Sequence, residues 1–137
     1  MPRVLGLDVG TKTIGVAVTD ELGLCAHGVT TLARRGTKRD VEQLAELAAK
    51  WGAGRIVVGL PLEGDGTLGH RAERVRVLTA ALAAAGLAVE ECDERFSTVE
   101  AEETLLAADL SRARRKQVID RAAAQVILTR WLEGRGE

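Results

Sequence analysis

The opening part of the chain contains three apolar segments separated by turns too short to hold a helix. The segments are Val4–Val9, Thr13–Thr19 and roughly Leu24–Leu32, and the turns between them contain Gly10 and Gly23. Apolar runs of this length bounded by glycine are typical of β-strands. Because such a short turn can only reverse the chain, consecutive strands must pair antiparallel. The chain is therefore predicted to begin as a three-stranded antiparallel meander.

The remainder of the chain alternates helical and strand-like patterns. Helices are predicted from about Lys38 to Trp51, from about Leu68 to Ala85, from Ser97 to near Leu110, and from about Arg114 to Leu132. Two further strands are predicted at Arg55–Gly59 and Leu87–Cys92, with a loop at Pro61–Gly69. Thr37 is positioned to cap the first helix.

Strands that are joined through helices must pair parallel, whereas the opening meander is antiparallel. A mixed five-stranded sheet with helices on both faces satisfies both requirements. The predicted class is therefore α/β, with the element order of the ribonuclease H-like fold. A length of 137 residues indicates a single domain spanning residues 1–137.

The composition limits the ways in which the chain could bind nucleic acid. Net charge is −1, but basic residues form two groups, Arg34, Arg35, Lys38 and Arg39, and Arg112, Arg114, Arg115 and Lys116. Such local patches can steer a polyanion even when the net charge is close to zero. With only one Phe, two Trp and no Tyr, the chain is not expected to have a base-stacking platform. Any nucleic acid would be held mainly through its phosphates.

The cysteines and the amino terminus suggest where the chain resides. Cys25 and Cys92 are far apart and both fall in predicted strands, so we expect two small buried side chains and no disulfide scaffold. No signal peptide and no apolar run of the ~20 residues that span a bilayer are visible. A reduced cytoplasmic setting is expected.

Acidic residues occupy unusual positions in three of the predicted elements. Asp8 lies inside the first apolar strand, Asp93 and Glu94 close the fifth strand, and Asp120 falls on the apolar arc of the last helix. A carboxylate in such a position needs a partner. For Asp8 an ion pair with an arginine would suffice, and Asp120 could simply complement a helix dipole.

The inferred fold brings these acids towards one another, which raises a problem of charge. Two carboxylates ~4 Å apart repel by about 4 kcal/mol at an effective dielectric constant near 20. A cluster of three must take up protons or bind a cation, and hard divalent ions such as Mg²⁺ favour carboxylate oxygens. Two such ions can activate a water and stabilise the leaving oxygen of a phosphodiester.

Four blocks of sequence resemble those of the YqgF-type (RuvX) family of pre-16S rRNA nucleases. In chain order the blocks are Gly6–Gly10 with Ile14–Asp20, Val58–Leu62 with Asp65–Thr67, Asp93–Thr98, and Lys116–Ala123 with Ile127–Leu128. The resemblance spans nearly the whole chain and implies a cytoplasmic ribonuclease H-like nuclease related to Holliday-junction resolvases. The family often has arginine where Lys12 stands.

The resemblance also implies a set of functional residues. The acidic triad of the family carries over to Asp8, Glu94 and Asp120 as catalytic ligands of Mg²⁺ or Mn²⁺, with two ions bridged by Asp8. Substrate contacts are implied at Lys12, Gly59, Pro61, Asp65, Gly66, Arg95, Ser97, Thr98 and Lys116. The expected partner is precursor ribosomal RNA, with no membrane contact and a monomeric or homodimeric state.

Three alternatives remain open from the sequence. The same metal site would serve a Holliday-junction resolvase acting on DNA. The fold could also be kept by a nucleic-acid-binding module without catalytic activity. Finally, Asp8–Thr11 resembles the phosphate loop of actin-like kinases, although those proteins enclose a nucleotide between two such domains and this chain has one.

Overall fold

The structure, a computed structural model, describes residues 3–61, 69–93 and 112–135, and side chains within 3–61, 69–92 and 121–134. The strands are β1 (Arg3–Val9), β2 (Thr13–Thr19), β3 (Ala26–Ala33), β4 (Ala53–Leu60) and β5 (Val89–Asp93). The helices are α1 (Thr37–Trp51), α2 (His70–Ala84) and α3 (Arg112–Arg135). None of these three helices is both long and apolar enough to cross a membrane.

The five strands form one mixed sheet in the order β3-β2-β1-β4-β5. β1 pairs antiparallel with β2, and β2 pairs antiparallel with β3. β1 pairs parallel with β4, and β4 pairs parallel with β5. The predicted sheet is therefore confirmed, and β1 is its central strand.

Two apolar cores lie on opposite faces of the sheet. α1 and α2 pack on one face, where Leu5, Leu7 and Val9 of β1 are buried. α3 packs on the other face against residues that include Ala17 and Val57. Because side chains alternate along a strand, Gly6 and Asp8 belong to the face that α3 covers.

The turn between β2 and β3 is longer than the sequence suggests. Asp20 accepts a hydrogen bond from the backbone N–H of Leu24 at 2.9 Å, and its own N–H donates to the carbonyl of Cys25 at 3.0 Å. These bonds close the turn around Cys25, so β3 begins only at Ala26. The prediction of two buried cysteines is wrong for Cys25, which is exposed, while Cys92 is half-buried.

The amino terminus of α1 also differs from the prediction. Gly36 is the capping residue, with φ 98°, and Thr37 is the first helical residue. Glycine tolerates this positive φ, which residues with a Cβ rarely adopt. Thr37 is therefore not the cap, and no side chain in the described part of the chain caps the helix. The predicted helix from Ser97 to Leu110 lies outside the described residues.

Close packing between β1 and α3 depends on Gly6. A Cβ at Gly6 would lie 2.8 Å from the Cβ of Leu128 and 3.2 Å from the carbonyl oxygen of Ala124. Both atoms belong to rigid parts of the helix. Only glycine therefore allows α3 to approach the central strand so closely.

Replacing Gly6 by Ala is expected to destabilise the fold by about 1–3 kcal/mol through overpacking. The free energy of unfolding, measured by urea denaturation, tests this expectation. Gly134→Ala is the matched control, because a Cβ at Gly134 meets nothing within 4 Å. Equal stability of Gly6→Ala and the wild type would show that α3 can move away from the strand at no cost.

Candidate active site

Asp8 is the next-to-last residue of the central strand and is half-buried. β1 and β4 are parallel neighbours, so their carboxyl ends meet at the same edge of the sheet. In α/β sheets this edge is where ligands bind. An acidic side chain at this position is therefore well placed for chemistry, and the catalytic role of Asp8 stays a prediction.

Glycines flank Asp8 on both neighbouring strands. Asp8 pairs directly with Gly15 of β2. The β1–β4 register pairs Leu7 with Val58, so its continuation by one residue places Gly59 on the other side of Asp8. Gly15 and Gly59 are both buried. Because neither has a side chain, the carboxylate is not crowded from either neighbouring strand on the face that α3 covers.

The second expected ligand, Glu94, follows β5 directly. The β4–β5 register pairs Leu60 with Asp93, so β5 ends at the same edge of the sheet as β4. Glu94 itself lies outside the described residues. One strand, β4, lies between β1 and β5. The end of β5 is therefore two inter-strand steps from Asp8, about 10 Å at ~4.8 Å per step.

The third expected ligand, Asp120, belongs to α3, whose backbone is described at this position but whose side chain is not. The buried positions of α3 are Ala123, Ala124, Ile127, Leu128 and Trp131. Position 120 lies one turn before Ala124 and shares its helix face by spacing. Among the side chains that the structure describes, no three from His, Cys, Asp and Glu come together as a metal site. The acidic triad of Asp8, Glu94 and Asp120 thus stays a prediction.

An ion pair that the sequence analysis missed fixes the turn after Asp8. Asp40, in the first turn of α1, has a fully buried side chain and accepts from Arg34 Nε at 2.7 Å. Its other carboxylate oxygen accepts from the backbone N–H of Arg35 at 2.9 Å. Arg34 in turn donates from Nη1 to the carbonyl of Gly10 at 2.8 Å, and its N–H donates to the carbonyl of Lys12 at 2.8 Å.

These contacts change the interpretation of the first basic group. The sequence groups Arg34 with Arg35, Lys38 and Arg39 as a patch that could steer a polyanion, but in the structure its guanidinium contacts Asp40 and the carbonyl of Gly10. An acid six residues after an arginine, in the first turn of a helix, was the signal available in the sequence. The pair connects the β1–β2 turn to α1 and so restrains the backbone next to Asp8.

A cleft of about 740 Å³ opens on the α1–α2 side of the same sheet edge. It is lined by residues 9–13, by the start of α1, by Pro61 and by the first two turns of α2. Four cationic residues lie along it, Lys12, Arg34, Arg71 and Arg74, and none of the described lining residues is acidic. Sequence analysis did not identify Arg71 or Arg74.

The remaining predicted substrate contacts are distributed as follows. Lys12 is exposed in the β1–β2 turn, and Gly59 and Pro61 are buried at the end of β4 and just after it. Lys116 belongs to α3, without a described side chain. Five predicted contacts lie outside the described part of the chain: Asp65, Gly66, Arg95, Ser97 and Thr98. The structure therefore brings Lys12 and Pro61 to one cleft and does not test the others.

The sequence matches one protein family over almost its full length. A family model described as RuvX, Holliday junction resolvase, matches residues 2–134. A Myxococcus xanthus protein named "Putative pre-16S rRNA nuclease" is 54% identical over 132 residues, which cover 96% of this chain and 87% of that protein. A protein of the same name from Pelotomaculum thermopropionicum is 49% identical over 136 residues, covering 98% of this chain and 88% of that protein.

Solved structures share the fold at much lower sequence identity. RuvC from Thermus thermophilus, in complex with a Holliday junction substrate, matches with a TM-score of 0.56 and 15% identity over 99% of this chain and 96% of that one. The fowlpox virus resolvase in complex with Holliday junction DNA matches with a TM-score of 0.57 and 10% identity over 98% and 99%. These likenesses concern the fold, and they confirm the predicted ribonuclease H-like architecture.

Proposed function

Because this chain belongs to the RuvX family of nucleases, we propose that it is a divalent-metal-dependent enzyme that hydrolyses phosphodiester bonds in RNA. The observation that carries the proposal is the position of Asp8. It lies at the carboxyl edge of the central strand, between Gly15 and Gly59, on the face that α3 covers. A carboxylate flanked by glycines on both neighbouring strands, at the carboxyl edge of the sheet in a chain of a nuclease family, suits a ligand of metal ions.

The donor set suits a hard divalent cation. Asp8 would act with Glu94, which follows β5, and with Asp120, one turn before the residues of α3 that pack on β1. All three supply carboxylate oxygens, which Mg²⁺ and Mn²⁺ prefer. When bound, a pair of such ions makes an attacking water more acidic and stabilises the charge on the leaving oxygen.

The chain itself contributes position and charge. Arg34 and Asp40 hold the backbone of Gly10 and Lys12 next to Asp8. Lys12 is exposed in this turn and is proposed to hold a phosphate of the substrate, because its ammonium group would offset the charge of the phosphate oxygens. The turn is thereby kept in one geometry during the reaction, without rearrangement of the backbone beside the carboxylate.

For the substrate we propose the precursor of 16S rRNA, trimmed at its 5′ end in the cytoplasm, by a single nuclease domain that is monomeric or homodimeric. The relatives that carry the pre-16S rRNA nuclease name are about half identical to this chain, for example 54% in one case. The resolvase structures are 15% identical or less in the two comparisons described above. The pairwise identities therefore support RNA as the substrate, whereas the description of the family model that matches residues 2–134 names Holliday junctions.

A side-by-side cleavage assay tests the proposal. We expect cutting of an RNA that carries the 5′ extension of 16S rRNA in Mg²⁺ or Mn²⁺, with full loss in excess EDTA and recovery when metal is restored. A four-way DNA junction of similar length is the comparison substrate. Full activity in EDTA would contradict a metal-dependent mechanism, and cutting of the junction alone would identify a resolvase.

The metal ligands can be located directly. Crystals soaked in Mn²⁺ are expected to show anomalous scattering next to Asp8, between the ends of β1 and β5 and the face of α3. This measurement does not depend on finding the natural substrate. Anomalous scattering only at surface carboxylates away from Asp8 would contradict the proposed ligand set.

A further inference from the structure

The cleft between the amino-terminal ends of α1 and α2 has the charge expected of a polyanion site. Lys12, Arg71 and Arg74 lie along it, and Arg71 and Arg74 are exposed. Within the described part of the chain, none of these three side chains forms a salt bridge. Three cations without a carboxylate partner, in a concave site whose described lining contains no acid, favour a ligand that carries several negative charges.

The two helices add to this preference. The described residues provide no side-chain cap for either α1 or α2. The first N–H groups of a helix need acceptors, and a helix amino terminus attracts anions. Gly36 and Thr37, at the start of α1, line the cleft directly. Arg71 lies in the first turn of α2, where a cation is unfavourable to the helix dipole. Glu73 of the same turn offsets this in part, but it lies 3.7 Å from His70 and does not line the cleft.

The cleft and Asp8 lie on opposite sides of one sheet edge. Val9 belongs to the α1–α2 side and lines the cleft, whereas Asp8 belongs to the face that α3 covers. The short turn through Gly10 and Lys12 joins them, and the Arg34–Asp40 pair holds that turn. A nucleic-acid strand that crosses the edge at Asp8 can therefore continue into the cleft.

We propose that this cleft binds the sugar-phosphate backbone of a single-stranded RNA segment next to the bond that is cut, through Lys12, Arg71 and Arg74. The proposal rests on the nuclease function proposed above and extends it to a second binding site. A volume of about 740 Å³ is within the range of small-molecule sites. A volume of this size accommodates a short stretch of one strand. Contacts to phosphates rather than to bases make this site tolerant of sequence.

The test is RNA binding without cleavage. Fluorescence anisotropy of a labelled oligouridine is measured in EDTA, at a series of salt concentrations, for the full chain and for Arg71→Gln with Arg74→Gln. Each phosphate contact to a single strand contributes about 0.7 to the slope of log K against log salt. We therefore expect the double variant to lower that slope by about 1.4 and to raise Kd by about tenfold at low salt.

The control removes the same charge elsewhere on the surface. Arg55 and Arg76 pair with Glu90 and Glu91 at 2.9 Å and 3.4 Å, and neither lines the cleft. Arg55→Gln with Arg76→Gln is expected to leave the salt slope unchanged. If both double variants change the salt slope and Kd equally, or if the cleft variant changes neither, the proposed RNA-binding site in the cleft is overturned.

Cleavage separates this inference from the proposed function. In the presence of metal, the cleft variant is expected to raise KM with kcat unchanged. RNA binding that depends on Arg71 and Arg74, without any cleavage, would support the binding site in the cleft and contradict the proposed nuclease function. If the cleft variant cleaves RNA with unaltered Kd and unaltered KM, the proposed binding site in the cleft is contradicted and the proposed nuclease function is not.

Discussion

Asp8→Asn is expected to abolish metal-dependent cleavage while the protein stays folded. An amide is a poor ligand for the divalent cations that Asp8 would hold, and those ions would supply several kcal/mol of transition-state stabilisation. At about 1.4 kcal/mol per tenfold change in rate, the loss should be a thousandfold or more. The single-turnover rate at saturating Mn²⁺ measures it.

The thermal stability of the same variant distinguishes a metal ligand from a structural residue. If Glu94 and Asp120 lie beside Asp8 as proposed, removing the charge of this half-buried residue should leave the melting temperature in EDTA unchanged or raise it. Wild-type protein should gain stability when Mn²⁺ is added, because the ion binds the folded state, and Asp8→Asn should gain much less.

Asp20→Asn is the matched control for this experiment. Asp20 follows β2 at the opposite edge of the sheet, and its Oδ1 accepts from the N–H of Leu24 at 2.9 Å. Asn keeps this acceptor, so the control removes one negative charge far from the site. We expect wild-type cleavage from it. A large fall of the melting temperature in Asp8→Asn would instead indicate that Asp8 is the acidic partner of a structural ion pair.

The sheet could be predicted from the sequence because its signals are local. Short turns forced the antiparallel pairing of β1 to β3, and intervening helices forced the parallel pairing of β4 and β5. The errors occurred at the ends of elements, where a single hydrogen bond or backbone angle decides which residue begins a strand or a helix. Asp20 extends the turn through Cys25, and Gly36 rather than Thr37 caps α1.

The residues of the candidate site also differ in how far the sequence alone identifies them. Asp8 could be identified in the sequence because an acid in an apolar strand is unusual by itself. The importance of Gly15 and Gly59 depends on strand register, which places them beside Asp8. Arg71 and Arg74 have the pattern of ordinary solvent-facing residues of a helix. Their role depends on the position of α2 relative to α1, which no local pattern encodes.

Asp40→Asn is expected to destabilise the protein strongly. The Asp40 side chain is 0% exposed and that of Arg34 is 22% exposed, so the substitution leaves a largely buried guanidinium without its counter-charge. Breaking a buried pair in this way costs about 3 kcal/mol. The melting temperature should fall by roughly 10 °C in a chain of this size. Thermal and urea denaturation measure both quantities.

A surface pair provides the comparison. Arg3 and Glu21 lie 3.1 Å apart, but the Glu21 side chain is 82% exposed. Glu21→Gln should change the free energy of unfolding by no more than about 1 kcal/mol, since water screens such pairs. A similarly small effect of Asp40→Asn would show that water reaches Arg34 and takes the place of the lost carboxylate.

A double-mutant cycle with Arg34→Gln then isolates the contact itself. If Arg34 and Asp40 act as one unit, removing both should cost less than the sum of the two single losses, by about 1–3 kcal/mol. Because Arg34 also holds the carbonyls of Gly10 and Lys12, the variants should cut RNA more slowly even at temperatures where they are fully folded. Slower cleavage with an unchanged affinity for Mn²⁺ would place the defect in the turn. Additive stability losses would mean that Arg34 holds this turn without the help of Asp40.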